Sequence, residues 1–195
     1  MRLVEPGRLR RLSFVTAMEL REQFLDLTRA NRAALRFFGL FALFFAGLYL
    51  IFGIVPGIRL GLIQPYTEVL ARAVAAFVNL FHGGAVVDGS IVKSPRFSMT
   101  VAMGCDGVEA SCLFAAGVLA FPTTWRARML GLAMGLPSIH LINLLRLIGL
   151  FYVGVFIPSG FEQLHVYVAQ TIVILLSTGI LIFWLDRFAV QRRAS

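Results

Sequence analysis

The stretch Phe37–Val55, FFGLFALFFAGLYLIFGIV, runs for 19 residues without a charged side chain. As an α-helix rising about 1.5 Å per residue it covers about 28 Å, close to the ~30 Å hydrocarbon core of a bilayer. A helix that is apolar all round has no face to give to water, so it belongs in a protein interior or in lipid. The rest of the chain points to lipid. Hydrophobic residues make up 58% of the 195 and charged ones 14%, against about 25% charged in soluble domains. That apolar surface exceeds what one soluble core of this length encloses. The chain therefore reads as an all-α, polytopic transmembrane helical bundle.

The first 36 residues are basic and mildly amphipathic, with Phe14, Met18, Leu20, Phe24 and Leu27 sharing a broad helical stripe. They predict a cytoplasmic amphipathic helix lying on lipid headgroups. No cleavable signal peptide stands out, so Phe37–Val55 is expected to remain as a signal anchor. Downstream, residues 61–83 have helical character, but Glu68 and Arg72 stand at i and i+4. That pair suits an interfacial helix better than a span. Residues 84–103 place Gly and Asp at turns with β-branched residues between, which predicts a small β-hairpin outside the membrane. Three more apolar stretches follow, Val108–Phe121, Met129–Ile157 and Val166–Leu185, giving about four spans.

The formal net charge is +8, and Lys93 is the only lysine. The arginines sit beside long apolar runs, which points to membrane topology and away from nucleic acid. Eight arginines precede the first span, Arg126 and Arg128 lie between the second and third, and Arg187, Arg192 and Arg193 follow the fourth. With both termini inside, all of these are cytoplasmic, and only Arg59, Arg72, Lys93 and Arg96 fall outside. An extra span at 61–83 would move Arg126 and Arg128 to the outer side, against the positive-inside bias.

This N-in, C-in topology sets Cys105 at the outer start of the second span and His165 at the outer start of the fourth. Arg146 lies about 26 Å along the third from Met129, near the same depth. A thiolate is a nucleophile whose pKa falls at a helix N-terminus or beside a cation. An imidazole takes a thiol proton and later protonates a leaving amine. An arginine cannot act as a base, so Arg146 would donate hydrogen bonds to a developing oxyanion or hold a substrate carbonyl. Gly104 and Gly107 would let backbone amides approach closely.

Each residue also has a bland reading. Cys105 could be a small apolar filler, His165 an interfacial residue, and Arg146 a side chain snorkelling to the outer surface. Glu109, one turn after Cys105, either orients His165 or Arg146 or suits the helix N-terminus. Asn143, three residues before Arg146, either holds the guanidinium or packs between helices. His140 reads as a helix–helix polar contact, Cys112 as a filler, and His82 and Asp106 as solvent-facing. Cys105 and Cys112 lie seven residues apart, about 10 Å on a helix, too far for a disulfide. Two cysteines without a CxxC give no zinc site, and no metal or cofactor is expected.

At these residues the chain resembles the exosortase/archaeosortase family. The likeness lies in Cys105-Asp106-Gly107-Val108-Glu109-Ala110, then AFPTTWRARMLGL, then Asn143-Leu144-Leu145-Arg146, then His165 before the last apolar helix. It covers about residues 100–186; before residue 85 it is only general. The family's usual Ser after the cysteine is Asp106 here, which with the short chain resembles the small exosortase H subtype. An acid beside the nucleophile opposes thiolate formation. The resemblance implies an intramembrane cysteine protease or transpeptidase acting through a thioester acyl-enzyme. Its substrates would be exported proteins carrying a C-terminal motif, a hydrophobic helix and a basic tail. Cys105, Arg146 and His165 match the family's invariant positions; Glu109 and Asn143 are supporting candidates by their spacing alone, outside what the resemblance implies. Residues 1–36 would then be a cytoplasmic segment and 37–195 a membrane-embedded catalytic domain, with outer elements at 61–104 and catalytic helices at 105–186. The expected home is the inner membrane, among membrane lipids, with the site near the periplasmic face.

Two other readings use the same residues. One is a non-enzymatic membrane subunit with Arg146 pairing Glu109 between helices. The other is a small transporter with Arg146 as an anion site, although no internal repeat accompanies it.

Overall fold

The computed structural model describes residues 31–102 and 104–190. The expected amphipathic stripe from Phe14 to Leu27 and the cluster Arg192–Arg193 lie outside those residues. The chain divides into two units, Met1–Leu40 and Phe41–Ser195. The first unit contributes only the opening turns of α1 to the description, and the site lies wholly in the second.

Helix α1, Arg32–Ile54, is 23 residues long and buries none of them in the protein. Its all-round apolar surface is left for lipid, as its composition requires. Pro56 starts a helical run again, Pro56–Ile58 and then the π-wound Arg59–Ile63, leading into α2, Gln64–Leu80. Helix α2 has two faces. Thr67, Leu70, Ala71, Val74, Ala75 and Val78 form a buried stripe. Glu68 and Arg72 form their expected pair at 3.6 Å away from that stripe.

The predicted hairpin is β1, Val86–Asp88, and β2, Ile91–Lys93. A third strand, β3, Ser98–Thr100, extends it to an antiparallel sheet of order β1-β2-β3, with Val92 opposite Val87 on one side and Met99 on the other. Alternation explains why it folds against α2: Val92, Met99 and Val101 turn inward and are buried, while Lys93, Ser98 and Thr100 face out.

Helix α3, Val108–Ala120, has 13 residues, which reach about 20 Å and fall short of a full hydrocarbon core. Helix α4, Trp125–Phe156, has 32. Its start is capped by Thr124, whose Oγ1 accepts from Ala127 N at 3.3 Å. A short turn, Pro158–Gly160, leads through Phe161–Gln163 and the π-wound Leu164–Ala169 into α5, Gln170–Trp184. Three helical runs are long and apolar enough to cross a membrane: Arg32–Ile54, Trp125–Phe156 and Gln170–Ala189. The shorter apolar α3 makes the fourth stretch of the expected bundle.

Helices α3, α4 and α5 pack on one another. Phe114 of α3 sits over Gly135 of α4, where a Cβ would come within 2.1 Å of its ring. Trp184 lies over Gly131 and donates from Nε1 to Ala127 O at 2.9 Å. Helix association in lipid depends on such close packing, because apolar transfer gives helices no drive toward one another there. A second core joins α2, the sheet and the C-terminal half of α4, through Val74, Val78, Val92, Met99, Leu147 and Phe151. Cys105 belongs to this second core.

Candidate active site

Cys105 occupies the turn between β3 and α3. Its backbone N–H donates to Ala102 O at 3.0 Å. Glycines bracket the turn because its backbone is left-handed at both ends, with φ +85° at Gly104 and +81° at Gly107. An L-residue pays roughly 1–2 kcal/mol in that region. Gly107 has a second reason: a Cβ there would meet Asn143 Cβ at 3.1 Å.

Asp106 corrects the expectation of a solvent-facing side chain, for it is only 2% exposed. Its Oδ1 accepts from Val108 N at 3.0 Å. The first amides of a helix need acceptors, and Gly107, the N-cap of α3, has no side chain to supply one. Asp106 fills that role one residue early. The first amide of α3 is thereby taken by a carboxylate and is not aimed at the thiol.

The three side chains that the sequence singled out come together. Cys105 Sγ lies 3.3 Å from His165 Nε2, across 60 residues of sequence. Arg146 stands close enough to both that its charge favours the thiolate of one and disfavours the imidazolium of the other. Asn143, fully buried, joins two of the parts. Its Nδ2 donates to Cys105 O at 2.9 Å, and its Oδ1 accepts from Arg146 Nη1 at 3.2 Å. Both roles left open for Asn143 are seen: it holds the guanidinium, and it packs fully buried against the turn at Gly107.

Glu109 stands in the first turn of α3. Among the described residues it makes no hydrogen bond or ion pair with His165 or Arg146; it lines a small cavity with Gly104, Asp106 and Phe52. His140 bridges helices as expected, between Tyr66 and Ser111. Cys112 is a buried, unpaired thiol, and His82 is exposed.

Sequence reasoning missed the support behind His165. The Phe161 ring stacks on the imidazole, centroids 5.6 Å apart and planes within 11°. Phe97 in turn packs on Phe161 at 5.0 Å and on Phe151 at 5.9 Å. The i, i+4 spacing of Phe161 and His165 in FEQLH was the available signal. The π winding of Leu164–Ala169 was not readable, although such turns recur at functional sites.

Electrostatics set the resting protonation. Burial pushes the Cys105 thiol above its ordinary value; Arg146 opposes this, while Asp106 and Glu109 reinforce it. Burial, then the positive charge of Arg146, holds the His165 imidazole below its ordinary value. Burial also raises the Asp106 carboxyl. Both shifts favour the neutral thiol and the neutral imidazole over an ion pair. With Nε2 accepting from the thiol, Nδ1 carries the proton; it is buried and has no hydrogen-bond partner among the described residues.

Cys105 is 8% exposed. An apolar groove of about 370 Å³ between α4 and α5 reaches the edge of the site at Arg146 and Leu164. Among the described residues no group of His, Cys, Asp and Glu side chains is placed to hold a metal ion.

Compared with known protein families, residues 8–188 match the family model described as transmembrane exosortase. No curated protein and no solved structure matches the chain.

Proposed function

The chain belongs to the transmembrane exosortase family, and from that premise we propose that it is a cysteine transpeptidase or peptidase that removes the C-terminal sorting signal of exported proteins. It is a multi-pass membrane protein. The observation that carries the proposal is the 3.3 Å contact between Cys105 Sγ and His165 Nε2, with Arg146 beside both.

In the proposed reaction His165 Nε2 takes the thiol proton as Cys105 Sγ attacks a peptide carbonyl. The carbon becomes tetrahedral and its oxygen gains charge, which the Arg146 guanidinium stabilises in a water-poor site where such contacts are strong. Collapse breaks the C–N bond. The imidazolium returns its proton to the leaving amine, and the hydrophobic tail departs. A thioester remains on Cys105. An amine acceptor or water then attacks it, loses a proton to His165, and frees the sorted protein and the thiol.

Neutral reactants at rest suit this order of events, because His165 acts as general base only when it is unprotonated. The arginine clusters support an inner-membrane orientation with both termini in the cytoplasm and the site near the periplasmic face. There the cleavage point of a membrane-anchored tail would lie at the depth of the thiol. Arg146 bonds to Asn143, and among the described residues it forms no ion pair with Glu109, which weighs against Arg146 and Glu109 acting as glue between helices. Co-expression with a tailed substrate tests the proposal. Wild type should release the tail, and Cys105→Ala, Arg146→Ala and His165→Ala, expressed at equal levels, should leave it attached. Unchanged processing by Cys105→Ala would remove the nucleophile from the scheme.

A further inference from the structure

Beneath the turn that carries Cys105 lies a second polar cluster to which the reaction gives no part. Tyr66 of α2 meets His140 of α4, with the hydroxyl 2.7 Å from Nδ1. His140 Nε2 lies 3.3 Å from Ser111 Oγ of α3. Ser111 Oγ donates to Gly107 O at 2.9 Å, and the same carbonyl accepts Ser111 N at 3.0 Å.

The direction of this chain follows from counting protons. Ser111 has one hydroxyl proton and gives it to Gly107. His140 Nε2 must then carry the hydrogen that faces Ser111 Oγ. A neutral imidazole protonated at Nε2 is bare at Nδ1, so Nδ1 accepts from the Tyr66 hydroxyl. One tautomer thus satisfies every partner, in the order Tyr66 to His140 to Ser111 to Gly107. The chain ends on a backbone carbonyl, which has no proton to pass on. It cannot feed protons to the thiol. What it can do is hold a peptide plane.

That plane flanks the nucleophile turn. The carbonyls on either side of Asp106 are both tied to α4: Cys105 O directly by Asn143, and Gly107 O by His140 through Ser111. His140, Asn143 and Arg146 recur every three residues, about 4.5 Å apart along the helix. A polar ladder on one helix therefore fixes the turn at two points and supplies the cation.

We propose that Tyr66, His140 and Ser111 form a positioning relay that fixes the Cys105 turn against α4, and with it the placement of the thiol relative to His165 and Arg146. The proposal rests on Cys105 being the nucleophile and His165 its base. A cluster that merely glued helices together would stabilise the fold without changing how the thiol and the imidazole cooperate.

The test uses the full chain in a Cys112→Ala background and reads iodoacetamide alkylation of Cys105. In the parent, His165→Ala slows alkylation, and the size of that penalty measures how well the imidazole serves the thiol. Tyr66→Phe and Ser111→Ala should each shrink the penalty by roughly threefold to tenfold, the range expected for loss of one part-buried neutral hydrogen bond in a membrane protein. Combined, they should shrink it no further than the larger single effect, and neither should add to His140→Ala, because all three act through one chain. His140→Gln, which retains a donor and an acceptor, should recover part of the penalty. Tail release by the same variants should lose kcat and keep KM. Thermal unfolding separates these effects from collapse, and if His140→Ala does not fold, the other two variants carry the test. A penalty within 1.5-fold of the parent (~0.2 kcal/mol) in folded Tyr66→Phe and Ser111→Ala would overturn the relay, as would independent, multiplicative effects. A full relay signature in a protein that releases no tail would instead refute the proposed reaction and leave the relay standing.

Discussion

Replacing Asn143 by Ala perturbs the site where its parts are joined. Asn143 is fully buried and bonded on both sides, to Cys105 O at 2.9 Å and to Arg146 Nη1 at 3.2 Å. Truncation leaves a buried carbonyl without its side-chain donor, at about 1–3 kcal/mol, and removes a hydrogen bond to a charged group, about 1.5–3 kcal/mol. The first loss frees the backbone of the residue that carries the nucleophile and the second frees the guanidinium proposed to meet the oxyanion, so about 3–4 kcal/mol should appear in the rate, a fall in kcat of roughly 10²- to 10³-fold. The assay is the initial rate of tail release in detergent micelles near neutral pH, normalised to folded protein. Asn143→Asp sharpens it. An aspartate keeps an acceptor for Arg146 but sets a carboxylate oxygen against Cys105 O, so it should rescue little. Activity of Asn143→Ala within threefold of wild type would refute the idea that this side chain couples thiol to guanidinium. Full rescue by aspartate would show that only the anchoring of Arg146 matters.

The pH profile carries a sign. The His165 imidazole is held below its ordinary value, so the base form persists into mild acid, and the acid limb of kcat/KM should lie below about 6.5. The Cys105 thiol is pushed above its ordinary value, so the alkaline limb should lie higher than for a free thiol, leaving a broad plateau. Alkylation of Cys105 that persists undiminished well into acid would indicate an ion pair instead. Arg146→Ala removes the charge that lowers the imidazole, so the acid limb should move up in pH; titrating alkylation of Cys105 reads this even where turnover is lost. Gly107→Ala puts a side chain at φ +81°, with its Cβ 3.1 Å from Asn143, and should cost about 1–2 kcal/mol of strain before any shift of Asn143. Thermal unfolding and tail release should both report it, and an unchanged melting temperature would contradict the tight turn.

The sequence told most about elements whose signal is local. Phe37–Val55 forms α1 as far as Ile54, Glu68 and Arg72 pair on a two-faced α2, and the Gly- and Asp-marked stretch after residue 83 forms the hairpin. The expected topology set Cys105 and His165 at one depth, but that they face each other appears only in the packing, where Sγ meets Nε2. Asp106 was misjudged because an acid is ordinarily solvated; its burial follows from an amide that Gly107 cannot cap, a need that appears only once the helix start is known. The third strand escaped notice because Ser98–Thr100 is too short to show a period and gains its meaning by pairing with β2. Ser111 and Tyr66 passed as ordinary helix residues, since what joins them to His140 is the packing of three helices.

The most direct measurement is mass spectrometry of the full chain after brief exposure to a tailed substrate without an amine acceptor. A hydroxylamine-labile adduct of the upstream fragment should appear on Cys105, with none on Cys112 and none in Cys105→Ala. Tail release at an undiminished rate from Cys105→Ala, with no adduct in the parent, would contradict the assignment of this thiol as the nucleophile.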